Sequence, residues 1–179
     1  FGKGVASCAT CDAPLYKNKT VAVVGAGNSA MDAICALSKV AKQVFVLNIA
    51  DDYNGEQLVI DKINSIANVK TYNQTKVVKI SGQDNVEAVT IQRHGKPDED
   101  LAVNGVFIEI GYEPSISFAD LVEKNEKNEI KVDGNLQTSV PGIFCAGDVN
   151  DAWGEQIIIA AGEGAKAAMA VSNYLTNQK

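Results

Sequence analysis

Two cysteines separated by two small residues, Cys8-Ala9-Thr10-Cys11, stand near the start of the chain, and Asp12 follows directly. Sulfurs at this spacing can close a small disulfide ring. When the ring opens, one thiolate can attack an external disulfide while the other resolves the mixed intermediate. A carboxyl at Asp12 can hand a proton to, or take one from, a leaving thiol. The remaining cysteines, Cys35 and Cys145, are isolated in sequence. A four-cysteine zinc site ordinarily uses two close pairs, so the pattern favours redox chemistry and no metal is expected. The plain alternative is two buried cysteines in a loop. His94 is the only histidine. A Ser-His-Asp enzyme would need it as base, and it reads as a turn residue in a hairpin.

A second chemical signal follows. Thr20 to Val24 (TVAVV) reads as a buried strand, and Gly25-Ala26-Gly27-Asn28-Ser29-Ala30 leads into an amphipathic stretch from Ser29 to Lys39. Strand, G-x-G-x-x-A, helix is the context that a dinucleotide fingerprint requires. Gly25 allows the tight turn, Gly27 lets backbone approach a pyrophosphate, and Ala30 allows close helix–strand packing. The helix start at Asn28 and Ser29 offers free N–H groups to phosphates. The end of the next strand should choose the cofactor: an acid about 20 residues on favours the ribose of NAD, and Arg favours NADP. Here it reads Asn48-Ile49-Ala50-Asp51-Asp52-Tyr53-Asn54, without Arg or Lys. A 2′-phosphate would meet Asp51 and Asp52, so NADP is disfavoured. NAD is expected, with Asn48 or Asp51 as the ribose partner.

The elements that must position these groups alternate. Gln43 to Leu47 and Val69 to Tyr72 read as strands, with a helix over Glu56 to Ala67 between them. This β-α-β-α-β order predicts a Rossmann-like, doubly wound parallel sheet. Thr75–Ser81, Val86–Arg93 and Asp100–Val103 then read as an antiparallel meander, and Val106 to Ile110 as a further strand. Beyond it the pattern predicts a short helix over Ser117 to Glu123 and a hairpin of Ile130–Val132 with Leu136–Thr138 around Asp133-Gly134-Asn135. A strand over Ile143 to Ala146 and a long helix over Glu155 to Asn173 complete it. Trp153, just before that helix, either shields a cofactor or partner surface or simply packs.

The chain has 179 residues, a net charge of −6, 46% hydrophobic and 21% charged residues. That is ordinary globular composition with room for one domain or two small ones. No basic block suggests nucleic-acid binding, no apolar run approaches the roughly 20 residues of a spanning helix, and the opening FGKGVASCATCD has no signal-peptide pattern. The expected setting is cytoplasmic, off the membrane.

The motifs together resemble the thioredoxin reductase family, including the flavoprotein component of alkyl hydroperoxide reductase and archaeal-type members. The marks are SCATCD at Ser7 to Asp12, VAVVGAGNSA at Val21 to Ala30, GVFIEIGYEP at Gly105 to Pro114, TSVPGIFCAGDV at Thr138 to Val149 and EQIIIAAGEGAKAA at Glu155 to Ala168. The resemblance implies an α/β flavoprotein in which 1–103 is the pyridine-nucleotide domain with the redox pair. It implies that 104–179 is the C-terminal part of an FAD domain whose first half is absent, so that the chain is a fragment or pairs with another chain. It implies Cys11 as the sulfur near the flavin, Cys8 as the sulfur that attacks the partner, and Asp12 as acid/base. Asp148, presented by Gly147, would bond the ribityl chain of FAD, and Gln156 and Ile157 would reach the flavin ring. The implied activity passes electrons from NADH through FAD to the Cys8–Cys11 disulfide and on to a thioredoxin- or glutaredoxin-like protein, in a homodimer. The family's NADP signature, His then Arg-Arg and a third Arg, is missing at Asn48 to Asn54. That departure opens the alternative of a non-nicotinamide donor such as ferredoxin or reduced flavin, and the absent first half of the FAD domain opens that of an inactive nucleotide-binding fragment needing a partner chain.

Overall fold

A computed structural model describes residues 2–177. The chain divides into two compact units, Phe1–Gly111 and Tyr112–Lys179.

The first unit contains β1 (Val5–Ala6), α1 (Ala9–Asp12), a 3-10 turn (Ala13–Tyr16), β2 (Thr20–Val24), α2 (Asn28–Leu37), β3 (Gln43–Leu47), α3 (Gln57–Asn64) and β4 (Val69–Tyr72). It continues with β5 (Thr75–Ser81), β6 (Ala88–Arg93), β7 (Glu99–Ala102) and β8 (Gly105–Ile108). Five strands form a sheet in the order β1-β8-β2-β3-β4, and β5-β6-β7 form a second sheet. Every pairing in the first sheet is parallel. The second sheet is antiparallel, as the meander pattern predicts.

Alternation along the strands explains how the two sheets meet. Val21, Val23, Val44, Val46 and Phe107 face one side, where Met31, Ile34 and Leu37 of α2 and Ile60 and Ile63 of α3 close a core. Ala22, Leu47 and Val106 face the other side and pack against Val89, Ile91 and Leu101 of the meander. Strands buried on both faces carry near-continuous apolar runs, and TVAVV and QVFVL have that character. The meander, where a second helical layer could lie, covers the second face.

The sequence predicts a domain boundary at 103/104; the compact units of the structure meet at 111/112, with β8 in the first sheet. Its backbone pairs Val106 with Ala22 and Phe107 with Val23, so the strand lies beside β2. Phe1 and the last two residues of the expected 104–179 segment lie outside the described residues.

The second unit departs further from expectation. No helix forms over Ser117 to Glu123; turns hold this stretch, with Ala119 N–H donating to the Ile116 carbonyl. Seven residues are too few to propagate a helix without packing, and Phe118 and Leu121 are exposed. The hairpin turn is present, because the Asp133 carboxylate accepts from Asn135 and Gln137 N–H. Its flanks and the expected strand at 143–146 make only isolated bridges, including Gln137 with Phe144 and Ile130 with Asn150. The final helix, α4 (Ile157–Asn177), is longer than expected and buries none of its described residues. No helix among the described residues is long and apolar enough to cross a membrane.

Candidate active site

Cys8 and Cys11 are joined by a disulfide with Cα atoms 5.4 Å apart. The pair opens α1. Cys8 is the N-cap, and Cys11 N–H points at Cys8 Sγ at 3.2 Å. Cys8 is half-buried and Cys11 exposed. Ala9 and Ala13 beneath them are buried, so the small residues of the motif seat the turn against the core. Asp12 is half-buried on the same turn, near enough to Tyr16 to raise the phenol's pKa, though burial is the larger cause. Cys35 and Cys145 are free thiols. Burial and the nearby Glu163 and Asp151 carboxylates push the Cys145 thiol up, which makes it the less reactive kind of cysteine.

The glycine motif sits at the switch point of the sheet, where β2 is flanked by β3 on one side and β8 on the other. Gly25 N–H donates to the Leu47 carbonyl and Glu109 N–H to the Val24 carbonyl, so the turn is stitched to both neighbours. Gly25 has φ +124°, and a Cβ there would collide with the Glu109 carbonyl oxygen. Gly27 faces open space. It caps α2 without a side-chain bond, which leaves the first amides of the helix free of an internal competitor. Ala30 is fully buried, as close packing requires.

These residues line a cleft of about 550 Å³ with Gly25, Gly27, Asn28, Ser29, Asn48, Lys76, Glu109 and Ile110 among its walls. Asn48 lies there, but its side chain is 3% exposed. Its amide donates to the Asp52 carbonyl and to Asn73, and its oxygen accepts from Ala50 N–H. Asn48 therefore ties the loop after β3 together. Asp51 accepts from Gln74 at 2.6 Å. Lys76, Arg93, His94 and Lys96 rim an adjoining hollow that shares Ile49 and Lys76 with the cleft. The stretch Asn48 to Asn54 does not include these basic residues, because they arrive from β5, the end of β6 and the β6–β7 turn.

Glu109 is the main residue that the motif reading missed. Its half-buried carboxyl is influenced by the Ala9 amide of the cysteine motif, and Glu109 lines the glycine-turn cleft. Burial raises its pKa from the ordinary 4.5 to about 7, the Ala9 bond opposes the rise, and Asp32 adds to it. The available signal was an acid between apolar residues in VFIEIG. A carboxyl whose pKa is raised by folding contributes stability fully below about 4.5 and loses it as pH rises through about 7. Glu109→Gln should therefore melt higher than the parent at pH 8, with the gap narrowing at pH 5, in paired thermal melts.

In the second unit, Gly147 takes φ +89° and presents the exposed Asp148. Its N–H is committed to Glu163, as is the Asn150 amide, so Gly147 shapes the turn. Gln156 precedes α4 and accepts from Ala160 N–H through its backbone carbonyl. Ile157 and Ile158 are exposed, and Trp153 is 92% exposed, so it does not pack. No group of three or more potential metal ligands occurs among the described residues.

A parallel α/β nucleotide-type fold carrying a CxxC disulfide defines a class of redox proteins. The chain belongs to the pyridine nucleotide-disulphide oxidoreductase family, whose model matches residues 1–164. The F-type alkyl hydroperoxide reductase subunit of Staphylococcus aureus (strain NCTC 8325 / PS 47) is 39% identical over 177 residues, 98% of this chain and 35% of that protein. Thioredoxin reductase from Streptococcus pyogenes MGAS5005 matches with a TM-score of 0.91 and 32% identity, covering 98% of this chain and 58% of that one. A ferredoxin-flavin thioredoxin reductase from Clostridium acetobutylicum matches with a TM-score of 0.54 and 29% identity, covering 98% of this chain and 56% of that one. The chain thus spans about a third of the curated relative and somewhat over half of the solved ones.

Proposed function

We propose that the chain is the redox and nucleotide-binding portion of a flavin-dependent disulfide reductase of the thioredoxin reductase kind. The observation that carries this reading is the Cys8–Cys11 disulfide in the same compact unit as the strand, glycine turn and helix that line the cleft. A dinucleotide fits that cleft: Gly27 leaves room for a pyrophosphate, and the uncapped start of α2 supplies amides and a positive dipole end. In the second unit Asp148 is exposed for a ribityl hydroxyl, and Gln156 and Ile157 stand at the start of α4. FAD supplies the hydride-accepting chemistry when bound. The chain's residues do the rest. Cys11 takes the electrons, Cys8 attacks the disulfide of a thioredoxin-like protein, and Asp12 moves the proton at the leaving sulfur.

The donor in this reading is NADH, because Asn48 to Asn54 contains acids and no cation for a 2′-phosphate. The Clostridium neighbour favours a second reading, in which a reduced carrier such as ferredoxin feeds the flavin. The complete enzyme is a homodimer that works in the cytoplasm, a setting compatible with the free thiols at Cys35 and Cys145. α4 buries none of its described residues and leaves Ile157, Ile158 and Met169 exposed, a surface that the rest of an FAD domain would cover.

A visible spectrum of the chain with added FAD, before and after NADH or NADPH, tests the reading. Bleaching by NADH supports it. A bound flavin that neither nucleotide bleaches supports the carrier-fed alternative. A chain that binds NADH but no FAD places flavin reduction in the longer protein alone.

A further inference from the structure

The hollow beside the glycine-turn cleft gathers positive charge. It has a volume of about 490 Å³, within the range of small-ligand sites. Four of its lining residues, Lys76, Arg93, His94 and Lys96, are basic, and none is acidic. In a chain of net charge −6 this is a local reversal of sign. Arg93 is held in place: its guanidinium pairs with Glu99 and lies 5.4 Å from the centre of the Tyr72 ring, which Lys70 approaches at 4.8 Å. Three acids bond to lining residues: Glu99 to Arg93, Asp98 to Gln92 and Asp51 to Gln74. The Arg93–Glu99 contact is the one ion pair among the described residues, so Lys76 and Lys96 have no carboxylate partner there.

Ile49 and Lys76 line both the hollow and the cleft. Ile49 lies just past the end of β3, where a dinucleotide in this fold puts the ribose of its adenosine. The cations absent from Asn48 to Asn54 thus reach the same end of the cleft from other elements. We propose that this hollow is a phosphate site, in which Lys76, Arg93, His94 and Lys96 bind a phosphomonoester or inorganic phosphate beside the nucleotide cleft. The lysines act as point charges, and the guanidinium N–H groups that Glu99 does not use supply directed donors. Two sources fit this chemistry. A phosphate on the adenosine ribose would bridge cleft and hollow, and a separate phosphate ion would sit beside a nucleotide that has none. The site goes beyond the reading of NADH as donor, and only its first source rests on the cleft holding a dinucleotide.

The chain labelled with nitrogen-15 is titrated with inorganic phosphate, and with chloride at matched ionic strength. Amide signals of His94, Gly95 and Lys96 should shift and saturate with phosphate and stay in place with chloride. The double variant Lys76→Gln, Lys96→Gln should bind phosphate about tenfold more weakly or worse, because two charge-assisted contacts are lost. Both lysines are exposed, so the rest of its spectrum should match the parent's. Lys96→Arg keeps the charge and should bind close to the parent. The absence of a saturable shift, a shift that chloride reproduces, or undiminished affinity in the double variant overturns the proposal. NADH and NADPH are then compared through their fluorescence on the parent chain. An affinity for NADPH about tenfold above that for NADH, lost in the double variant and weakened by phosphate, assigns the site to a ribose phosphate. Equal affinities, with phosphate still bound in the presence of NADH, assign it to a separate ion. A chain that binds phosphate here but neither nucleotide upholds the hollow and contradicts the cleft reading, so the two failures are told apart.

Discussion

Replacing Cys8 by Ser should lower turnover of a protein disulfide by the complete enzyme on the order of a thousandfold or more, while flavin reduction by the nicotinamide donor continues. Cys8 is the half-buried sulfur that receives the Cys11 N–H, so it is the one whose negative charge the local backbone is set to hold. The hydroxyl of Ser forms no disulfide and is a poor nucleophile at neutral pH. The substituted chain should keep its fold, because Ser is small and a good N-cap, and Cys8 already occupies the N-cap position of α1. Stopped-flow flavin absorbance together with a disulfide assay separates the two half-reactions. Loss of both would place Cys8 in flavin binding and remove it from disulfide exchange.

Gly25→Ala should destabilise the first unit by about 3 kcal/mol or more. Two costs coincide there. The residue sits at φ +124°, where L side chains are strained, and the added Cβ runs into a backbone oxygen, Glu109 O, held by the pairing of β2 with β8. Backbone cannot swing aside as a flexible side chain can. The expected fall in melting temperature is on the order of 10 °C. Gly27→Ala provides the contrast. Its Cβ meets nothing within 4 Å, so the melting temperature should hardly move. The methyl would stand where the pyrophosphate approaches, so NADH affinity should drop about tenfold. Equal destabilisation by the two substitutions would mean that the second glycine also serves the fold.

The central strands were legible in the sequence because their cause is local. TVAVV and QVFVL are buried on both faces, so their composition declares them, and β2, β3, β4 and β5 begin and end at the residues predicted. The glycine motif was legible for the same reason. β8 was visible as a strand, but its membership was not, since pairing with β2 across more than 80 residues leaves no mark in VFIEIG itself. The second unit was misread where short apolar stretches lacked partners: Phe118 and Leu121 have helical spacing but nothing to pack on. In the candidate site, spacing identified Cys8, Cys11, Gly25 and Gly27. Glu109 and Lys76 come to the cleft through tertiary structure, from just past β8 and from β5, and the acid between apolar residues in VFIEIG is the one local hint of the first. The commitment of the Asn48 amide to Asp52 and Asn73 was equally invisible to spacing.

The most direct measurement is an equilibrium redox titration of the native chain against a dithiothreitol couple, with each cysteine's state read by differential alkylation and peptide mapping. Cys8 and Cys11 should convert together, reversibly, as one two-electron couple, while Cys35 and Cys145 stay reduced throughout. A Cys8–Cys11 pair that never oxidises, or that exchanges with Cys35 or Cys145 before it cycles, would contradict a redox site at this turn.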